Sequence, residues 1–112
     1  MRIEDKNRVA HMIEAAQEAQ LFLADKSFDD LKTDRLLAFA VVRALEIIGE
    51  AAAQTSQEFR DSFSFIKWRD IISMRNKLIH AYFDINYAVV WAAVKEDVPE
   101  LLSQLQKIVD EK

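Results

Sequence analysis

The sequence predicts an all-α fold, an antiparallel bundle of four to five helices, on three observations. Across 112 residues there is one glycine, Gly49, and one proline, Pro99, too few turn formers to reverse the many strands of a β domain. Apolar residues return every three to four positions along most of the chain, the spacing of one helix face. Hydrophobic residues make up 51% of the sequence, enough to fill one core at this length, which predicts a single domain over residues 1–112.

The first segment sets Val9, Met12, Ile13, Ala16 and Phe22 or Leu23 near one face, with Arg8, Glu14, Gln17 and Glu18 between them, and predicts a helix over about residues 5–25. Ser27-Phe28-Asp29-Asp30 breaks that pattern. Thr33 or Asp34 then caps a second long helix reaching about residue 54, whose stripe is Leu37, Val41, Ala44, Leu45, Ile48 and Ala52. Gly49 inside this helix costs roughly 1 kcal/mol relative to alanine, which predicts a close helix approach there. Thr55-Ser56-Gln57 opens a stretch rich in phenylalanine (Phe59, Phe63, Phe65) that makes a helical turn before a third main helix, about residues 66–81, buried through Ile71, Ile72, Met74, Leu78 and Ile79. Phe83-Asp84-Ile85-Asn86 reads as a loop, with Asn86 or Asp84 as N-cap for a helix carrying Val89, Val90, Ala93 and Val94. Pro99 removes a backbone donor, so a kink or restart is expected near Asp97, with a last helix through Val109.

Composition excludes several function classes. With no cysteine there is no disulfide framework and no thiolate metal site, and nothing argues for an oxidising compartment. The start of the chain mixes acid and base without an apolar core, and no run approaches the roughly 18 apolar residues of a membrane span. A cytoplasmic location is expected. A net charge of −4 and a pI near 5.1 argue against a protein that coats nucleic acid non-specifically. The average conceals a basic stretch, since Lys67, Arg69, Arg75 and Lys77 against Asp70 give residues 65–80 a balance of +3 and leave −7 for the rest. Only this stretch suits a phosphate.

A metal is not expected. Helical bundles hold di-iron through Glu-x-x-His pairs, whereas His11 and His80 are preceded three residues earlier by Arg8 and Lys77, which repel a cation. Glu46 and Glu50 share a helix face, as do Glu14 and Glu18, and such pairs read as solvated surface. One glycine cannot build a phosphate-cradling loop.

What remains is Arg75-Asn76-Lys77-Leu78-Ile79-His80-Ala81-Tyr82. On an ideal helix Asn76 and His80 stack one turn apart, while Arg75 sits about 140° from His80 at about 100° per residue. Arg75 must reach around, helped by fraying of the last turn, for its guanidinium, the His80 imidazole and the Tyr82 phenol to converge. A permanent cation, a group that titrates near neutrality and a hydroxyl together suit phosphoryl chemistry. The competing reading is structural: a lone helical histidine is more often a hydrogen-bonding group, Arg75 alone a surface charge, and Trp68, Trp91 and Tyr87 core or interface aromatics.

Arg75, four residues, His80, one residue, Tyr82 resembles the signature of the HepT-like toxins, a branch of the HEPN superfamily. The flanks extend the resemblance over nearly the whole chain. Arg43-Ala44-Leu45-Glu46-Ile47-Ile48-Gly49-Glu50-Ala51 is similar to the family's second-helix motif, Trp68-Arg69-Asp70-Ile71-Ile72-Ser73-Met74 leads into the signature, and Tyr82-Phe83-Asp84 with Val90-Trp91 follows in the usual order. Ala81 stands where the family commonly has glycine. The resemblance implies a HEPN-like bundle that forms a homodimer with two motifs facing one cleft, and a metal-independent endoribonuclease that needs no cofactor. It implies Arg75 and His80 as catalytic residues, Asn76 in support, and RNA as substrate. It also implies a cognate nucleotidyltransferase antitoxin that transfers AMP to Tyr82 and so silences the toxin. The alternative, favoured by the acidic pI, is a non-catalytic partner domain that binds nucleotide or a nucleotidyltransferase; a purely structural bundle is the third reading.

Overall fold

A computed structural model of the chain describes residues 1–79 and 84–110. The expected all-α bundle is what these residues form, with one isolated antiparallel bridge, Ile79 to Ile85, as the extended pairing among them. Two long helices, α1 (Ile3–Leu23) and α3 (Arg35–Ala53), run antiparallel: Asp5 near the start of α1 accepts hydrogen bonds from Ser56, just past the end of α3. Both helices lie within two residues of the ranges their apolar spacing predicts. Met12, Leu45 and Ile48 from this pair are fully buried, in one core with Leu105 and Ile108 of α8 (Val98–Asp110). Leu78, Val90 and Val94 extend the same core beneath the second half of the chain.

The short elements are set by their caps. The break at Ser27–Asp30 is the start of a further helix, α2 (Phe28–Thr33): Ser27 Oγ accepts from the Asp30 N–H at 3.0 Å while Asp30 Oδ2 accepts from the Ser27 N–H at 2.8 Å. This reciprocal box satisfies two of the donors that a helix start leaves unpaired. Asp34 caps α3 by accepting from Leu37 N–H, and Ser56 caps α4 (Gln57–Ser62) by accepting from Phe59 N–H. Asn86 caps α7 (Tyr87–Ala92). The restart expected from Pro99 takes the form of a π-helical turn, Ala93–Asp97, running into α8. Pro99 has no N–H to give, so the ladder changes register ahead of it.

The predicted third helix over residues 66–81 is corrected. It is two short pieces, α5 (Trp68–Ile72) and α6 (Met74–Leu78), joined at Ser73. At the joint the Asn76 N–H bonds to Ser73 O, three residues back, at 3.1 Å, a tighter turn than the α-helical ladder. The second piece stops at Leu78 because the returning chain takes over its last carbonyl: Asn86 N–H donates to Leu78 O at 2.7 Å. Ile79 then adopts extended backbone (φ −132°, ψ 124°) and pairs with Ile85. The other end of this unit is tied by Trp68, whose indole N–H donates to Phe63 O at 3.0 Å; Trp68 is buried, as a core aromatic should be.

Gly49 explains how α5 and α6 are placed. A Cβ built on Gly49 would stand 2.9 Å from Ile71 O and 3.7 Å from Ile72 O. Only glycine lets the backbone of α3 meet the carbonyl edge of α5 at this distance. The close approach predicted from an otherwise unfavourable residue is therefore real, and its partner is α5.

Candidate active site

The site is built around Arg75, the second residue of α6. Its side chain is 71% exposed, and Asn76 and Lys77 beside it are also exposed. Because α5 is pressed against α3 at Gly49, α6 continues along the α3 surface and Arg75 reaches the residue one turn before that glycine. Arg75 Nε lies 3.5 Å from Glu46 Oε2. The other carboxylate oxygen, Oε1, is 3.7 Å from Arg43 Nη1, and Arg43 Nη1 also donates to Glu50 Oε2 at 3.0 Å. The charges alternate along the edge of α3: Glu50, Arg43, Glu46, Arg75.

Glu46 differs from its partners in burial. Its side chain is 14% exposed, against 58% for Arg43 and 71% for Arg75. The anion is fixed in the wall of α3 and the arginines lean onto it. Glu50 is exposed, as a solvated face requires, but for Glu46 that reading is corrected: it is largely buried and ion-paired, and it is the residue near the site that sequence reasoning passed over. The available signal was its position three residues before Gly49, where a close neighbour was expected.

The basic character of this region persists in three dimensions. Lys67, Arg69 and Lys77 are exposed on the same α5–α6 unit, with Asp70 pairing Lys77 at 3.8 Å across the surface. Two of the predicted site residues, His80 and Tyr82, lie outside the described residues. The helical stacking that was to set Asn76 one turn before His80 does not extend that far, because α6 ends at Leu78 and Ile79 is extended. Ile79, four residues beyond Arg75, pairs with Ile85 in an antiparallel bridge. Among the described residues no group of three or more histidine, aspartate or glutamate side chains could hold a metal ion, and no helix is long and apolar enough to cross a membrane.

An exposed arginine, ion-paired to a half-buried carboxylate on a basic helical edge, defines the class as a small all-α bundle with a cationic surface site. The sequence profile of the family described as Ribonuclease HepT-like matches residues 12–108. The chain belongs to the HepT-like ribonuclease family. It is 39% identical over 108 residues, covering 96% of this chain and 98% of the relative, to a Thermococcus cleftensis protein named as a probable ribonuclease HepT. A Methanocaldococcus jannaschii protein provisionally named as an RNase is 37% identical over 95 residues, 85% of this chain and 87% of the relative. A similarly named protein from Caldanaerobacter subterraneus subsp. tengcongensis is 45% identical over 83 residues, 74% of each chain. No solved structure matches the chain.

Proposed function

We propose that the protein is a metal-independent endoribonuclease, the toxin of a toxin–antitoxin pair, acting in the cytoplasm as a homodimer. The observation that carries the reading is Arg75, an exposed guanidinium with its Nε edge held by Glu46, in a chain of a ribonuclease family. No hydrogen bond joins its terminal nitrogens to another of the described residues. Such a fork suits two oxygens of a phosphodiester.

Cleavage without a metal proceeds by attack of the ribose 2′-oxygen on the adjacent phosphorus. The 2′-O–P bond forms, the P–O5′ bond breaks, and the products are a 2′,3′-cyclic phosphate and a free 5′-hydroxyl. A base removes the 2′-proton, an acid protonates the departing 5′-oxygen, and a cation stabilises the phosphorane. His80 supplies acid and base, one copy from each protomer, and Arg75 is the cation. Asn76, four positions before His80 in the sequence, is its supporting residue in this reading. A two-fold dimer provides the second imidazole, since a single motif has only one.

The partner in this reading is a cognate nucleotidyltransferase that moves AMP onto the Tyr82 hydroxyl. The tyrosyl oxygen attacks the α-phosphorus of ATP and pyrophosphate leaves. The new phosphodiester, with its negative charge, then competes with RNA phosphate for Arg75.

The test is cleavage of RNA by purified protein in the presence of EDTA. The wild type cuts; Arg75→Ala and His80→Ala lose on the order of 10²–10³-fold in rate, the scale for removal of one group that stabilises transition-state charge. Retained cleavage in both variants, or loss of cleavage on chelation, would overturn the mechanism.

A further inference from the structure

We infer that Glu46 is a positioning residue for this reaction, one that holds the Arg75 guanidinium by its Nε edge so that the Nη1–Nη2 end faces the scissile phosphate. The inference rests on the nuclease reading above and names a residue that the reading does not require.

Three observations carry it. First, Glu46 meets Arg75 at Nε, through Oε2 at 3.5 Å. A carboxylate at the terminal fork would block a bidentate contact with phosphate; one at the Nε edge leaves the fork available. Second, Glu46 is 14% exposed while Arg75 is 71% exposed, so the anion is the fixed member. Most surface ion pairs contribute little because both side chains must be immobilised. Here one partner is already held in the wall of α3, and the restraint falls on the four rotatable bonds of the arginine. Third, Glu46 has a second restraint, since Arg43 approaches Oε1 at 3.7 Å and is itself bonded to Glu50 at 3.0 Å. The carboxylate is turned with one oxygen toward each arginine.

Glu46 also opposes RNA through its charge. A negative carboxylate beside the phosphate-binding cation weakens the local positive field. Its removal therefore has two effects of opposite sign: the guanidinium loses its orientation, which slows the chemical step, and RNA is attracted more strongly. General damage to the fold does not produce that split.

The experiment compares single-turnover cleavage at saturating RNA, and the half-saturating RNA concentration, for wild type, Glu46→Gln, Glu46→Asp, Arg75→Ala and Glu58→Gln. Glu58, on α4, pairs with Arg2 at the same 3.5 Å, with its side chain 74% exposed, and serves as the control. Glu46→Gln is expected to lower the saturated rate about tenfold, the order of effect when an aligned group loses its restraint. The half-saturating concentration stays level or falls, and the melting temperature is unchanged. Glu46→Asp keeps the charge in the wall and regains part of the rate; Glu58→Gln matches wild type. If Arg75→Ala is inactive while Glu46→Gln cleaves at the wild-type rate, the positioning role is overturned and the nuclease reading stands. Loss of rate together with a lower melting temperature or a raised half-saturating concentration also overturns it. If Arg75→Ala itself cleaves normally, the nuclease reading fails and this inference with it.

Discussion

Gly49 and Ile71 meet more closely than any other residue type at position 49 would allow, with a Cβ there falling 2.9 Å from the Ile71 carbonyl oxygen. The obstacle is backbone, not the end of a flexible side chain, so it cannot turn aside. This contact fixes the distance between α3 and the α5–α6 unit, and with it the reach from Glu46 to Arg75.

Gly49→Ala is therefore expected to destabilise the protein by about 1–3 kcal/mol, the usual range for overpacking, even though alanine is the better helix former by about 1 kcal/mol. Urea unfolding measures it. Unchanged or increased stability would show that α5 yields without cost.

Asp5 is 3% exposed and accepts from both the N–H and the hydroxyl of Ser56, each at 2.8 Å. It joins the start of α1 to the cap of α4 across 51 positions of sequence. Asp5→Ala should cost about 2–3 kcal/mol, since it leaves buried donors without their charged acceptor, and Ser56→Ala about 1 kcal/mol or more through loss of the cap. A double-mutant cycle should show strong coupling between the two. Additive effects would mean that the pair is not a unit.

The Asp30 carboxyl is held below the usual aspartate range, first by the backbone N–H of Ser27 and then by the Ser27 hydroxyl. A depressed value in the folded state means that the box contributes stability above the unfolded pKa and loses it as pH falls through the folded one. Asp30→Asn should therefore be less stable than wild type at neutral pH, and the gap should close in acid. A gap that is constant with pH, followed by denaturant melts, would count against the box.

Tyr82→Phe separates modification from catalysis. Incubated with its cognate nucleotidyltransferase, ATP and Mg²⁺, the wild type should gain one or more adenylyl masses and lose RNA cleavage, whereas Tyr82→Phe should gain none and keep cleaving. Tyr87, partly buried against the core, is the internal control. An adduct mapped to Tyr87 by mass spectrometry would sink the assignment.

Much of the fold was legible because helices report themselves locally. The stripe through Val41, Leu45, Ile48 and Ala52, the cap at Asp34 and the restart forced by Pro99 are short-range facts of spacing and backbone chemistry, and each recurs in the structure. The Ser27–Asp30 box is equally local, yet as a break in apolar spacing it does not by itself announce a helix. The division of the third helix at Ser73 and its end at Leu78 were not legible. Apolar spacing through Ile71, Leu78 and Ile79 satisfies one continuous helix, and only the arrival of Asn86 at the Leu78 carbonyl stops it.

Read alone, the sequence determined the helical class, the basic stretch, the motif from Arg75 to Tyr82 and the need for a close neighbour at Gly49, since these depend on residue type and spacing within a few turns. The tertiary structure decided which neighbour that is and which anion meets Arg75. Glu46 and Arg75 are 29 positions apart in the sequence, and no periodicity along either helix encodes their distance. It follows from the packing of α5 and α6 against α3, a packing that a missing side chain at residue 49 makes possible.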